Sequence, residues 1–177
     1  DARLLAKAAH AADSDAAEAV VAATLEQLGG LDVLVNNAAT SPYFGPMVEL
    51  DKARADNTVD VNMWGPVMWA QQAVRAGLGD NGGAIVSIAS IGGLATEPGI
   101  GWYNATKAAL IHLTRQLAVE LAPADITANA VMAGVTDTRC MSTALDATLA
   151  SAAKTLMCPT FDSSRSVARG PIRNPAK

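Results

Sequence analysis

The chain is poor in the residues on which thiol, disulfide and metal chemistry depend. Its two cysteines, Cys140 and Cys158, are too few for a disulfide framework and lack CxxC spacing. Its two histidines, His10 and His112, lie far apart in the sequence, so a zinc site or a histidine-based nucleophilic triad would need scattered parts. We therefore expect no metal site and no thiol chemistry.

Positive charge and long apolar runs are also scarce. The 13 lysines and arginines are outnumbered by 17 aspartates and glutamates, which gives a net charge of −4. A negative net charge gives no electrostatic attraction to nucleic acid or to an anionic membrane surface. No uninterrupted apolar run reaches the roughly 18 residues that a transmembrane helix needs. We expect a cytoplasmic protein without nucleic-acid or membrane partners.

The composition is nevertheless that of a folded domain. Half of the 177 residues are apolar and 17% are charged, which suits one domain with a buried core and argues against disorder. The first residue is Asp1, and no basic-then-apolar leader follows it. The chain was therefore either processed or begins partway through a longer one, and we favour the second explanation.

The apolar pattern predicts alternating helices and strands. Helices are expected over residues 15–28, 51–76 and 102–121. Strands are expected over residues 31–36, 83–89 and 126–131; the first is an apolar run without alternation, which suits a strand covered on both faces, and the second is also expected to be buried. Ser14 is the expected N-cap of the first helix, Gly29 its stop, and Gly65-Pro66 the break in the second helix. This order predicts an α/β fold with a doubly wound, Rossmann-like parallel sheet.

The end of the chain is less regular. We predict one domain over residues 1–140, a possible helix over 141–157 and an irregular tail over 158–177. The tail contains no periodic apolar pattern, and prolines such as Pro171 and Pro175 prevent a continuous helix there.

Tyr103 and Lys107 are the strongest candidates for chemistry. They are four residues apart in a predicted helix, so they share one face and their side chains can converge. A neighbouring ammonium favours the phenolate and lowers the pKa of a phenol from its ordinary value of about 10. Taken alone the spacing is weak, because most such pairs are ordinary helix neighbours.

Two further polar positions strengthen the candidate site. Ser90 ends a predicted strand 13 residues before Tyr103, where its hydroxyl can polarise the same oxygen. Ser87 has the opposite parity on the strand and is interpreted as structural. Pro66 has no N–H, so the main-chain carbonyl of Asn62 loses its helical donor and can bind water or a lysine. A simple kink that fits the helix around the sheet is the alternative.

In order and spacing these segments resemble the short-chain dehydrogenase/reductase family, and more narrowly its large "classical" subgroup, over about residues 8–140. The matching segments are Asn36-Asn-Ala-Ala39, Val61-Asn62, Ile85-Val-Ser-Ile-Ala-Ser90, Tyr103-x-x-x-Lys107 and Asn129-Ala-Val-x-Ala-Gly134. The resemblance implies that Tyr103 is the general acid/base and that Lys107 lowers its pKa and holds the nicotinamide ribose. Ser90 would orient the substrate oxygen, and Asn62 would hold a water through its carbonyl.

The resemblance also implies a cofactor, a substrate class and an assembly. The cofactor would be NAD or NADP, the substrate an alcohol or ketone, and the full-length parent a homodimer or homotetramer. The implied cofactor-binding residues, besides Tyr103 and Lys107, are Asp13 at the adenine, Asn36 and Ala38 along the groove, and Thr136 and Thr138 at the carboxamide and diphosphate.

One departure from the family is severe. No T-G-x-x-x-G-x-G loop is present, and nothing before Asp13 leaves room for it. We therefore expect an incomplete fold that lacks the first βαβ unit, an open apolar sheet edge, weak or no cofactor binding and no appreciable turnover. The alternatives are a non-catalytic scaffold or partner subunit, or a family member acting as a dehydratase, epimerase or isomerase. A hydrolase based on Ser90 is disfavoured, because there is no G-x-S-x-G elbow.

The substrate itself is not encoded in any motif. Residues of the loops that would select it suggest an apolar pocket for an alcohol or ketone with a ring or chain: Leu94, Ile100, Trp102 and Met141.

Overall fold

The computed structural model describes residues 4–134, and the structural statements below concern this part of the chain. The helices are α1 (Ser14–Leu28), α2 (Lys52–Val59), α3 (Gly65–Arg75) and α4 (Gly101–Leu121). The strands are β1 (Val33–Asn36), β2 (Gly83–Ser90) and β3 (Ile126–Ala133). The predicted helix over 141–157 and the tail over 158–177 lie outside the described residues, as do Thr136, Thr138 and Met141.

The three strands form one parallel sheet in the order β1-β2-β3. Asn36 at the end of β1 is paired with Ser87, and Ser90 at the end of β2 is paired with Ala133. All three strands therefore end at the same edge, where polar residues from different parts of the sequence meet. The prediction of a parallel, Rossmann-like α/β fold is confirmed.

Helices cover one face of this sheet. On that face Ile85, Ile126 and Ala128 pack with Ala70 and Ala73 of α3 to form the larger apolar cluster. A smaller cluster joins three residues of β2 and α4: Ala89, Leu110 and Ile111. Burial of these alternate strand positions, with their neighbours left more accessible, is the pattern of a strand covered on one side.

The opposite face differs from the sequence prediction. Val33 and Val35 of β1 are 52% and 54% exposed, and Val131 of β3 is 50% exposed. For β1, coverage on both faces was expected from its continuous apolar run, and this expectation is wrong. The reason is that every helix packed on the described sheet lies on the face of Ile85. In the described sheet β1 is also an edge strand.

The N-cap of α1 is Asp13 and not Ser14, which corrects the prediction. The Asp13 carboxylate accepts hydrogen bonds from the N–H groups of Asp15 (3.0 Å) and Ala16 (3.1 Å). Ser14 is already the first helical residue, so it comes one position too late to cap. Gly29 ends the helix as expected, in the left-handed conformation with φ of 87°.

The predicted break in the long helix is a π-helical turn, Asp60–Trp64, between α2 and α3. The N–H of Gly65 donates to the carbonyl of Asp60, five residues back, which shifts the hydrogen-bond register just before Pro66. Gly65 is required at this point, because a Cβ there would lie 2.8 Å from the carbonyl oxygen of Ala11. The indole of Trp69 donates to the same carbonyl at 3.0 Å, so the segment before α1 is held against the start of α3.

Candidate active site

Tyr103 and Lys107 lie on the first turns of α4, and the structure brings them together as predicted. The Lys107 Nζ lies 5.7 Å from the centre of the Tyr103 ring. Lys107 is 2% exposed, and its Nζ donates a hydrogen bond of 2.7 Å to the carbonyl oxygen of Ile88 in β2. The ammonium is thus fixed between the helix that carries the tyrosine and the strand that carries Ser90.

Burial lowers the pKa of Lys107 from 10.5 to about 8, because desolvation penalises the charged form. Near pH 7 the side chain is still predominantly an ammonium. A positive charge in so poorly solvated a position acts more strongly on its neighbours than the same charge in water. The arrangement therefore places a poorly solvated positive charge beside the ring of Tyr103.

Ser90 is the last residue of β2, and it caps the short 3₁₀ turn Ile91–Gly93 that follows. Its Oγ accepts a hydrogen bond of 3.1 Å from the N–H of Gly92. Because that bond uses a lone pair, the hydroxyl proton can be donated to another oxygen. Ser87, by contrast, is 1% exposed and lies with Ile85 on the helix-covered face, which agrees with its interpretation as structural.

Asn62 lies in the π-helical turn and is completely buried. Its side-chain Oδ1 accepts from the N–H of Thr40 (2.8 Å), and its Nδ2 donates to the carbonyl of Thr40 (3.0 Å). A third bond of 3.0 Å runs from Nδ2 to the hydroxyl of Thr106. The side chain therefore joins the segment after β1 to α4, which the sequence argument, concerned with the main-chain carbonyl of Asn62, missed. The proposed role of that carbonyl stays a prediction.

Thr106 is a residue of the site that the sequence argument missed altogether. It is 2% exposed, and its Oγ1 donates a hydrogen bond of 2.7 Å to the main-chain carbonyl of Tyr103. The same oxygen accepts the bond from Asn62. A threonine within a helix commonly bonds a carbonyl three or four residues back, so the available signal was its position between Tyr103 and Lys107.

Asn104 occupies an unusual environment beside these residues. It is 5% exposed, and within the described part of the chain neither of its amide atoms has a hydrogen-bond partner. Its Oδ1 lies where a Cβ on Gly92 would have to be, so any larger residue at that position would displace the Asn104 amide. Asn104 therefore packs α4 against the turn that holds the Ser90 hydroxyl.

A cavity of about 310 Å³ opens beside the end of β1. Asn36 and Ala38, both predicted to line the cofactor groove, contribute to its wall. Asn36 is 8% exposed, and its Nδ2 donates to the carbonyl of Pro66 at 3.2 Å, so it also ties β1 to α3. Asp13 is not part of the wall of this cavity, and its carboxylate is engaged in capping α1.

The loop after the 3₁₀ turn pairs with a segment that follows β1. The N–H of Gly45 donates to the carbonyl of Gly99 at 2.8 Å, and the ring of Phe44 packs on Gly99. Leu94, predicted to line a substrate pocket, is 67% exposed. The indole of Trp102 donates to the carbonyl of Ala55 in α2 at 3.1 Å. The segment around Phe44 thus belongs to the surroundings of the site, although no sequence motif marks it.

Residues 4–134 contain neither a candidate metal site nor a candidate membrane-spanning helix. No cluster of three or more histidine, cysteine, aspartate or glutamate side chains there could hold a metal ion. No helix in that range combines the length and apolar character needed to cross a bilayer.

Comparison with known proteins gives consistent matches. The family model described as "Enoyl-(Acyl carrier protein) reductase" matches residues 3–165. The human protein "Dehydrogenase/reductase SDR family member 4" is 35% identical over 129 residues, which are 73% of this chain and 46% of that protein.

Solved structures also match this chain, both in fold and in sequence. A 3-ketoacyl-(acyl-carrier-protein) reductase from Brucella melitensis, in complex with NADH, superposes with a TM-score of 0.73 at 30% identity, over 77% of this chain and 57% of that one. ElxO with NADP bound gives a TM-score of 0.71 at 32% identity, over 76% and 54% of the two chains.

The present chain spans about half the length of the curated relatives it matches. The family model covers most of its residues, and the Ser90, Tyr103 and Lys107 positions lie within the matched range. The chain therefore belongs to the short-chain dehydrogenase/reductase family of oxidoreductases.

Proposed function

We propose that this chain forms the proton-transfer half of an NAD(P)-dependent oxidoreductase that interconverts an alcohol and a ketone. The observation that carries the proposal is the buried Lys107 ammonium, held 2.7 Å from the Ile88 carbonyl and 5.7 Å from the centre of the Tyr103 ring. A desolvated positive charge beside a phenol is an arrangement suited to general acid/base chemistry near neutral pH. Solved family members with NADH or NADP bound support the choice of cofactor.

In the reducing direction Tyr103 donates its phenolic proton to the carbonyl oxygen of the ketone and becomes a phenolate. Lys107 stabilises that phenolate electrostatically. Ser90 donates its hydroxyl proton in a hydrogen bond to the same substrate oxygen, while its own oxygen stays bonded to the N–H of Gly92. A nicotinamide cofactor, when bound, would supply the hydride in the reducing direction and accept it in the oxidising direction. In the oxidising direction the Tyr103 phenolate takes the proton back.

The described residues fit one end of the cofactor better than the other. Lys107 has three N–H donors, and one of them is given to Ile88, so it can also donate to ribose hydroxyls. Asn36 and Ala38 line the cavity of about 310 Å³ at the same edge of the sheet. At the diphosphate end the sequence offers no T-G-x-x-x-G-x-G loop. We therefore propose that the 177-residue chain alone binds NADH and NADPH weakly and turns over little.

The ionisation of Tyr103 tests the acid/base assignment directly. The chain has only two tyrosines, so Tyr43→Phe leaves Tyr103 as the sole phenol whose ionisation appears near 295 nm. We expect this phenol to titrate well below its ordinary pKa of about 10, in the pH range where Lys107 is still protonated, and Lys107→Met to raise the midpoint towards the ordinary value. An unchanged midpoint in the Lys107→Met chain would sink the assignment.

Cofactor binding is tested separately by fluorescence titration. NADH and NADPH are titrated into this chain and into one extended upstream by a βαβ unit of about 30 residues or more. We expect binding to be much tighter in the extended chain, and Tyr103→Phe to abolish hydride transfer to ketones there without weakening NADH binding comparably. If Tyr103→Phe leaves the transfer rate unchanged, the chain is better described as a non-catalytic scaffold.

We also propose that α4 pairs with a second copy of the chain. Ala105 and Ala108 are exposed on this helix, and their small side chains permit a close helix approach. Light scattering coupled to size exclusion tests the assembly: Ala108→Arg should shift a dimer or tetramer to monomer, and a monomer at all concentrations in the parent chain excludes it.

A further inference from the structure

The first turn of α4, which carries Tyr103, lacks the usual means of fixing a helix start. Tyr103 is only the third residue of the helix, and Ile100 at the N-cap position makes no side-chain capping bond. The first N–H groups of a helix have no partner within it, so an uncapped first turn depends on contacts with other elements, such as the bond from Trp102 to Ala55. A proton donor in such a turn needs an additional constraint if it is to meet a substrate oxygen reproducibly.

The Thr106 hydroxyl supplies such a constraint. It donates to the carbonyl of Tyr103 at 2.7 Å and accepts from the Nδ2 of Asn62 at 3.0 Å. The direction of both bonds is determined by chemistry. The N–H of Thr40 can only donate, so the Asn62 atom facing it at 2.8 Å must be the oxygen, and the amide nitrogen therefore faces Thr106. The single hydroxyl proton of Thr106 then goes to Tyr103.

The two side chains that link this series of hydrogen bonds are shielded from water. Asn62 is completely buried and Thr106 is 2% exposed, so losing one bond leaves a polar group that water cannot easily satisfy. These hydrogen bonds connect the segment after β1, through Asn62 in the π-helical turn, to the backbone of Tyr103, the proposed general acid. Lys107 directly follows Thr106, so the same turn also positions the ammonium.

We infer that Thr106 is a positioning residue for Tyr103, coupling the Asn62 side chain to the main chain of the general acid. This inference rests on the proposed function, in which Tyr103 transfers the proton. Thr106 touches neither the reacting oxygen nor the cofactor in this scheme. It acts by holding the turn in which the phenol and the ammonium lie at a fixed separation.

The chain contains a matched control in the same helix. Thr114 is also 2% exposed, and its Oγ1 donates at 2.7 Å to the carbonyl of Leu110, but it lies two turns beyond the site. Thr106→Val and Thr114→Val therefore each remove one buried hydroxyl and one bond to a helix carbonyl. Only the first should affect Tyr103. Thr106→Ser retains the hydroxyl and should therefore behave like the parent chain.

The test uses the full 177-residue chain with Tyr43→Phe, so that Tyr103 alone titrates. We expect Thr106→Val to raise the phenol midpoint by about 0.5 to 1 pH unit, since separation from the ammonium weakens its effect. Hydrogen exchange of the amides of residues 104–107 should accelerate about tenfold. Thr106→Ser should stay close to the parent chain in both measurements. Thr114→Val should leave both unchanged even if it lowers the midpoint of urea unfolding.

The outcomes separate this inference from the proposed function. If Lys107→Met shifts the phenol midpoint but Thr106→Val and Thr114→Val behave alike, the positioning role is wrong and the acid/base assignment stands. If Lys107→Met has no effect, the acid/base assignment fails, and the exchange rates decide whether Thr106 holds the turn. Equal exchange rates in the two valine variants would then overturn that role as well.

Discussion

The buried ammonium of Lys107 makes the stability of the chain depend on pH in one direction. Its pKa falls from 10.5 to about 8 on burial, so between these values the unfolded chain binds the proton that the folded chain has released. Wherever the unfolded state binds more protons, the free energy of unfolding rises with pH. We therefore expect the contribution of Lys107 to become more favourable from about pH 8 to about pH 10.5.

The size of this effect follows from the pKa change. At about 1.36 kcal/mol per pKa unit, the full difference corresponds to at most about 3 kcal/mol. Residual solvent access around the ammonium reduces that figure, and we expect about 1 to 2 kcal/mol. Lys107→Met replaces the ammonium with an uncharged side chain of similar length, so the pH-dependent difference between the two chains isolates this group.

Urea unfolding followed by circular dichroism at several pH values measures the difference. Both chains carry Tyr103→Phe, so that the phenol next to the ammonium does not ionise in the same pH range, and Tyr43 contributes equally to both. We expect the parent chain to gain stability relative to the Lys107→Met chain as the pH rises from 8 to 10.5. A difference that is constant across that range, or one that falls, would refute the buried, desolvated position of the ammonium.

Three further predictions concern the fold. Asp13→Ala should lower the free energy of unfolding by about 1 kcal/mol because it removes the N-cap of α1, and Ser14→Ala should have little effect; equal losses would contradict the cap. Gly65→Ala should cost about 1 to 3 kcal/mol in urea unfolding, since its Cβ would lie 2.8 Å from a backbone oxygen, whereas Gly30→Ala enters open space. The side chain of Val35 is 54% exposed, so Val35→Lys should change the free energy of unfolding by less than about 0.5 kcal/mol and reduce light scattering from aggregates. A larger loss of stability would show that the sheet face of Val35 is covered.

The alternation of helices and strands was predictable because it depends on local apolar patterns. The observed bounds of α4 and β2 agree closely with the predicted ones. Both elements have a distinct apolar pattern that stops near residues favouring turns. The exposure of Val33 and Val35 was not predictable. A continuous apolar run indicates how much surface a strand can bury, but it does not say whether the elements that would cover both faces are present.

In the candidate site, too, the features set by local sequence patterns were predictable, and those set by distant contacts were not. The spacing of Tyr103 and Lys107 was visible in the sequence because a helix turns a separation of four into proximity. The bonds of Asn62 to Thr40 and Thr106 span 22 and 44 residues, and no local pattern reports contacts over such distances. Their polar character also gave no signal, because asparagine and threonine at isolated positions are more often found on the surface.

The π-helical turn at Asp60–Trp64 has a consequence for how this segment tolerates change. An extra residue in that turn gives α2 and α3 different rotational phases about a shared axis. The indole of Trp102 is bonded to Ala55 on one side of the turn, and Asn36 is bonded to Pro66 on the other. Deleting one residue from the π-helical turn would restore a regular helix, but it would rotate Ala55, the partner of Trp102, by about 100° relative to Pro66, the partner of Asn36. Family members that differ in length at this point should therefore have to change both partners together.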